Sequence, residues 1–280
     1  MRLAAVCHDA GGAEIISSWL DAAGREHDAD YVLDGPAQAI FARKLGAGGR
    51  RELGDVTRYD LVLCGSSYTA ALERNAVRAA RRERVRCAVW LDHWVNYRMR
   101  FELDGELVLP DEVWVGDEHA RGIARRELPG ADVRLAGNPY LDAIVGEVRE
   151  LGGPPARRHV LYAGEPGALK HAAFAGLLAQ LADTAPVRVR VRRHPSEPVD
   201  AYDHEIAAAP PGVTVDLSDG TSLAEDCAWA GTVAGYETMA LVVALLAGRR
   251  ALAVRPHGAP PGRLPYPEIE QLVVGAPTPS

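Results

Sequence analysis

Short apolar runs alternate with longer amphipathic ones along the chain, and glycine or polar residues separate them. Short apolar runs bounded by turn residues predict strands buried on both faces, as in a parallel sheet. Residues 3–7, 31–33, 60–64, 87–91, 113–116 and 133–136 are such runs in the first half. The second half repeats them at 160–163, 187–192, 213–217, 232–234 and 250–254. Helices are predicted between them, starting near residues 15 and 37, over 68–84, near 117, from 139 to about 151, up to about 182, and from 238. Strand alternating with helix implies an α/β fold with doubly wound sheets. Gly152-Gly153-Pro154-Pro155 is the clearest linker. It divides the chain into 1–151 and 152–280, two Rossmann-like domains expected to face each other across a cleft. The tail from Pro256 is rich in proline and glycine, with a short helix expected over 267–272 and disorder at the end.

In such sheets ligands bind where strands end, so the strand exits hold the candidate chemistry. The sequence VRVRVRRHPSE, 187–197, alternates valine with arginine and then breaks at Pro195, which cannot donate to a ladder. Arg192, Arg193 and His194 therefore sit at a strand end, and guanidinium forks match phosphate oxygens. The plain alternative is a strand end with solvated arginines. His8 and Asp9 leave the first strand, and Gly11 and Gly12 let backbone approach a ligand beside free helix N–H groups. The fuller G-x-G-x-x-G fingerprint is absent, so a dinucleotide cofactor is not expected. Ser66 lies in the Gly65-Ser66-Ser67 turn, read as the cap of helix 68–84. The arginines of that helix read as a solvated face.

The run DHWVNYRMRF, 92–101, is the densest cluster. Asp92 or His93 can serve as a general base, the aromatics including Tyr97 can stack on a sugar, and Asn96 and Arg100 can hold an anionic partner. Alternatively its aromatics only plug the sheet edge. The second half adds Glu165 after its first strand, then Gly235, Tyr236, Glu237 and Thr238 at a later exit. There a carboxylate can accept from a ribose diol and helix N–H groups can meet a phosphate.

Bulk properties narrow the class. The 280 residues are 48% hydrophobic and 25% charged, as in a globular protein. A formal net charge of -7 argues against a general nucleic-acid binder. Cys7, Cys64, Cys87 and Cys227 lack metal-ligand spacing and suggest no disulfide framework, hence a cytoplasmic setting. Asp28 and Asp30 spell Asp-x-Asp but are expected as solvated turn residues before a strand, so no metal site is expected. The opening apolar run reaches His8 and Asp9 too soon for a signal peptide, and no membrane span is expected. Oligomeric state is not legible.

Taken together, the two halves resemble the GT-B glycosyltransferase architecture. GNPYLD before the linker is similar to the segment closing the first domain of several such enzymes. RRHPSE resembles the His-Pro element of bacterial sialyltransferases, Kdo transferases and glycerophosphate transferases, and GYETMAL resembles the loop opening their nucleotide-binding helix. The resemblance implies His194 and Pro195 at the donor phosphate, and Glu237 and Thr238 at ribose or phosphate. The expected activity is metal-independent transfer of a sugar from a nucleotide-activated, preferably cytidine-linked, donor to a hydroxyl on a small-molecule or glycan acceptor. Asp92, His93, His8 or Asp9 would be the base. The alternatives are a nucleotide-sugar hydrolase or epimerase on the same scaffold, and a non-catalytic nucleotide-binding protein.

Overall fold

In a computed structural model of the chain, residues 1–153, 158–194 and 197–275 are described. The chain separates into two compact units, Met1–Asp142 and Ala143–Ser280.

The first unit is built on β1 (Arg2–Cys7), β2 (Asp28–Leu33), β3 (Leu61–Cys64), β4 (Cys87–Trp90), β5 (Glu102–Leu103), β6 (Glu106–Leu107), β7 (Glu112–Val115) and β8 (Asp132–Leu135). Its helices are α1 (Ala10–Ala23), α2 (Ala37–Leu45), α3 (Leu72–Arg82), α4 (Glu118–Glu127) and the start of α5 (Pro139–Glu150). Six strands form one parallel sheet in the order β2-β1-β3-β4-β7-β8, and β5-β6 is a separate antiparallel hairpin. The middle strands β1, β3 and β4 are buried almost throughout, because helices cover both faces.

The second unit repeats the plan with β9 (His159–Ala163), β10 (Val187–Arg192), β11 (Val213–Leu217), β12 (Thr232–Gly235), β13 (Arg250–Pro256) and β14 (Glu270–Val274). Its helices are α6 (Lys170–Ala182), α7 (Asp203–Ala207), α8 (Leu223–Trp229) and α9 (Met239–Leu246). The sheet is again parallel, in the order β11-β10-β9-β12-β13-β14. In each sheet the winding reverses once, between β1 and β3 and between β9 and β12. A crevice opens at the carboxyl ends of the strands at such a reversal.

The valine–arginine alternation of β10 has a specific outcome. Val187, Val189 and Val191 are buried in one core with Phe174, Leu177 and Leu178 of α6. On the other face, Arg190 and Arg192 reach Asp226 of α8, a fully buried carboxylate, at 3.0 and 2.9 Å. Arg188 is left to an exposed pair with Asp216. The arginine face is thus covered by a helix that supplies its own counter-charge.

Several expectations are corrected. The segment expected as a helix over 267–272 contains the start of β14, paired with β13, so 250–254 is not the last strand. Glu270, Leu272 and Val274 alternate with Gln271 and Val273, and Val274 packs where a side chain on Gly176 would stand. Helix α1 starts at Ala10 rather than near residue 15, which places Gly11 and Gly12 in its first turn. Helix α3 starts at Leu72, not at 68, because Ser67 Oγ accepts the Thr69 and Ala70 N–H groups and holds a turn ahead of it. Asp28 and Asp30 lie within β2; Asp30 accepts from Tyr59 and pairs with Arg50 and Arg58. The predicted linker's Pro154 and Pro155 fall outside the described residues.

Phe174 is fully buried, stacked on Tyr162 at 4.5 Å and edge-on to Tyr202 at 5.5 Å. Phe174→Ala is expected to cost the second unit about 3–5 kcal/mol. Urea denaturation of the full chain followed by circular dichroism checks this, and an unchanged midpoint contradicts the packing described.

Candidate functional site

The polar exits of the first sheet gather at β1, β3 and β4. Arg100 is buried, and its Nη1 donates to Asp92 Oδ1 at 2.6 Å, Ser66 Oγ at 2.6 Å and the Ser66 carbonyl at 3.1 Å. Ser66 Oγ also donates to Asp92 Oδ1 at 2.8 Å. A Cβ on Gly11 would lie 1.8 Å from Asp92 Oδ2, and one on Gly12 would lie 2.8 Å from the Gly65 backbone. The two glycines are therefore required by the chain's own packing: they let α1 reach the neighbouring strand exits. Four predicted residues, Gly11, Ser66, Asp92 and Arg100, are brought together.

His8 and Asp9 form a second pair, with His8 Nδ1 2.7 Å from Asp9 Oδ1. The carboxylate orients the imidazole, whose Nε2 edge lies against Gly35. Asp9 precedes α1 in extended conformation, but its carboxylate serves His8 and does not cap the helix. The other members of the 92–101 run separate. Tyr97 is fully buried, and burial raises its phenol well above the ordinary range. His93 is half-buried and lies edge-on to Trp94 at 5.5 Å, and Asn96 takes a left-handed backbone at φ 59°.

Glu73, in the first turn of α3, is a residue that the sequence reading missed. It is buried, and its Oε1 accepts the His8 N–H at 2.7 Å. Its Oε2 is buried without a hydrogen-bond partner among the described residues. Burial pushes its carboxyl up to about 7, with the Asp9 charge adding to the rise and the His8 hydrogen bond opposing it. In the sequence a lone acid at the start of an arginine-rich helix reads as dipole compensation, so only the fold reveals it.

In the second unit, Arg192 is committed to Asp226 and the Thr221 carbonyl. Ser218 and Thr221 donate to the same Asp226. Arg193 reaches the Pro198 carbonyl at 3.3 Å and Asp219 at 3.7 Å. The His194 ring is exposed, while its backbone N–H donates to Glu197 Oε2 at 2.7 Å. Glu197 is buried and also takes Lys170 and Tyr202. Arg192, Arg193, His194, Glu197 and the loop 218–221 surround an open pocket of 370 Å³. Pro195 falls outside the described residues.

The reversal between β9 and β12 carries the other group. Glu165 Oε1 accepts the backbone N–H groups of Tyr236 at 2.8 Å and Glu237 at 2.9 Å. A 200 Å³ pocket there is lined by Tyr162, the loop 165–170, Tyr236 and Glu237. A Cβ on Gly235 would meet the Ala163 carbonyl at 2.9 Å, so strand packing requires this glycine. Glu237 is held by Arg263 through its backbone N–H at 2.8 Å, Nε at 3.0 Å and Nη2 at 2.8 Å. Thr238 caps α9 by accepting from Ala240 N–H. Among the described residues no cluster of three or more His, Cys, Asp or Glu is arranged to hold a metal ion, and no helix is long and apolar enough to cross a membrane.

Two six-stranded parallel sheets with their helices define a GT-B-like fold of two Rossmann-like domains. The chain is similar to the S. aureus MnaA–UDP co-structure: TM-score 0.65, 10% identity, 90% of this chain and 78% of that one. It is similar to UDP-GlcNAc 2-epimerase from Neisseria meningitidis bound to UDP-GlcNAc: TM-score 0.59, 11% identity, 90% and 82% covered. It is also similar to Acinetobacter baumannii MurG: TM-score 0.55, 13% identity, 92% and 80% covered. No protein-family model and no curated protein matches the sequence.

Glu73 generates a prediction about pH. A carboxyl raised from 4.5 to about 7 is protonated more readily in the fold than in the unfolded chain, so its contribution to stability declines as pH rises between those values. Glu73→Gln is expected to gain up to about 3 kcal/mol relative to wild type between pH 4.5 and pH 8. Denaturation midpoints of both proteins at the two pH values check this, and a difference independent of pH contradicts it.

Proposed function

We propose that this chain is a nucleotide-sugar enzyme, and that its reaction is transfer of the sugar to an acceptor hydroxyl. The observation that supports this most is the pair of consecutive amides, Tyr236 and Glu237, converging on one carboxylate oxygen at the winding reversal of the second sheet. Convergent backbone N–H groups at such a crevice suit a phosphate oxygen. Along the same sheet edge, the exposed His194 and the partly buried Arg193 line the 370 Å³ pocket, where they would add hydrogen-bond donors. Together these groups would stabilise the charge that develops on the leaving phosphate. Arg192 acts through Asp226, fixing the loop 218–221 that lines that pocket. Glu237 would hold the ribose diol after exchanging its Arg263 contacts.

The first unit supplies the base in this reading. Asp92 shares Oδ1 with Arg100 and Ser66, whereas His8 carries its own orienting carboxylate, so His8 with Asp9 is preferred over Asp92 and His93. Asp92, Ser66 and Arg100 form the wall against which the acceptor is placed.

A second reading, epimerisation or hydrolysis of the nucleotide sugar, is favoured by one specific feature. Asp9 and Asp92 follow β1 and β4, and Glu73, buried in the first turn of α3 against the His8 amide, has its carboxyl raised to about 7, which would suit a proton-exchange step. Product analysis without acceptor separates the readings, because free sugar or an isomerised nucleotide sugar argues for the second.

Uridine and cytidine nucleotides are expected to raise the melting temperature in a panel, and a panel in which none does contradicts the donor site. With the accepted donor, His8→Ala is expected to lower kcat by about 10²–10⁴-fold while nucleotide binding persists. Unchanged turnover in a folded His8→Ala variant removes His8 as the base.

A further inference from the structure

Glu165 is an expensive residue where it stands. It leaves the end of β9, yet its carboxylate sits on amides 71 and 72 positions further on. Burial raises its proton affinity, the two amides oppose the rise, and two other carboxylates, Glu237 and Glu197, add to it. Among the described residues, the phenols of Tyr162, Tyr202 and Tyr236 also feel its charge, and Lys170 lines the same pocket. The local cations are already engaged: Lys170 pairs with Glu197 at 2.8 Å and Arg263 with Glu237 at 2.8 Å. Among the described residues, no Lys or Arg pairs with Glu165. What keeps its charge in place is the Tyr236 and Glu237 N–H groups.

A carboxylate oxygen and a phosphate oxygen use such donors in the same way. We propose that Glu165 is a resident stand-in for a phosphate oxygen of the donor: it occupies the Tyr236 and Glu237 amides in the empty protein and leaves them when the donor binds. This rests on the nucleotide-sugar reading above and adds a specificity-determining residue to it. Nucleotide affinity is then set by competition with an internal anion. Removing the anion tightens binding, and protonating it does the same.

The test uses the full chain, with UDP and CMP as separate probes, in isothermal titration calorimetry at pH 8 and pH 6. Glu165→Ala is expected to bind its preferred nucleotide at least about fivefold tighter than wild type at pH 8. Glu165→Gln, which keeps the shape but not the charge, is expected between the two. Lowering the pH is expected to narrow the gap between wild type and Glu165→Ala, because burial favours proton uptake by the wild-type carboxyl. Equal or weaker binding by both folded variants overturns the proposal and makes Glu165 a strut that holds the loop, while leaving the nucleotide reading intact. Binding of neither probe by wild type or by either variant overturns both. Binding by the variants alone supports both.

Discussion

A parallel sheet covered by helices on both faces has no wet side, and this governs where polar chemistry can stand in the chain. The buried strands β1, β3, β4 and β12 carry apolar or small side chains, apart from the exposed Arg2 that opens β1. Charge is tolerated only where the ladder stops or where a counter-charge is folded in. The carboxyl ends of the strands therefore collect His8, Asp9, Ser66, Asp92, Glu165 and His194. The same constraint acts in the two sheets, although the reversal leaves two strands on one side and four on the other in the first sheet, and three on each side in the second.

The two units satisfy the constraint differently. In the second, Glu165 rests on two amides with no paired cation among the described residues, while Asp226 has two arginines and two hydroxyls, and Glu197 has Lys170, Tyr202 and the His194 amide. Such networks fix a rim rigidly, which a binding surface needs. In the first, Asp92 is compensated by Arg100, but among the described residues Glu73 has only backbone amides, its own and that of His8, and burial holds its carboxyl near neutrality.

Much of the scaffold was legible in the sequence because apolar runs and glycine punctuation are local signals. The eleven predicted strand positions all fall on strands, and the Val–Arg alternation of β10 correctly marked one apolar face. What escaped were features set by distant partners. The alternation could not say that a helix carrying Asp226 would cover the arginine face. Glu73 gave no local sign that burial would hold it near neutrality. The strand β14 was hidden in a proline-rich tail, since Leu272 and Val274 are too few to show a period without knowledge of β13 beside them. Gly11, Gly12 and Gly235 were singled out as places where backbone could approach a ligand; in the fold, the chain's own Asp92, Gly65 and Ala163 lie against them.

The central claim is that the strand ends of the second unit bind the anionic part of a nucleotide. A crystal structure of the chain with UDP or CMP bound tests it most directly. The account predicts phosphate oxygens within hydrogen-bonding distance of the Tyr236 and Glu237 amides, with His194 on the same side of the sheet edge. Phosphate seated on another surface, with those two amides untouched, contradicts it.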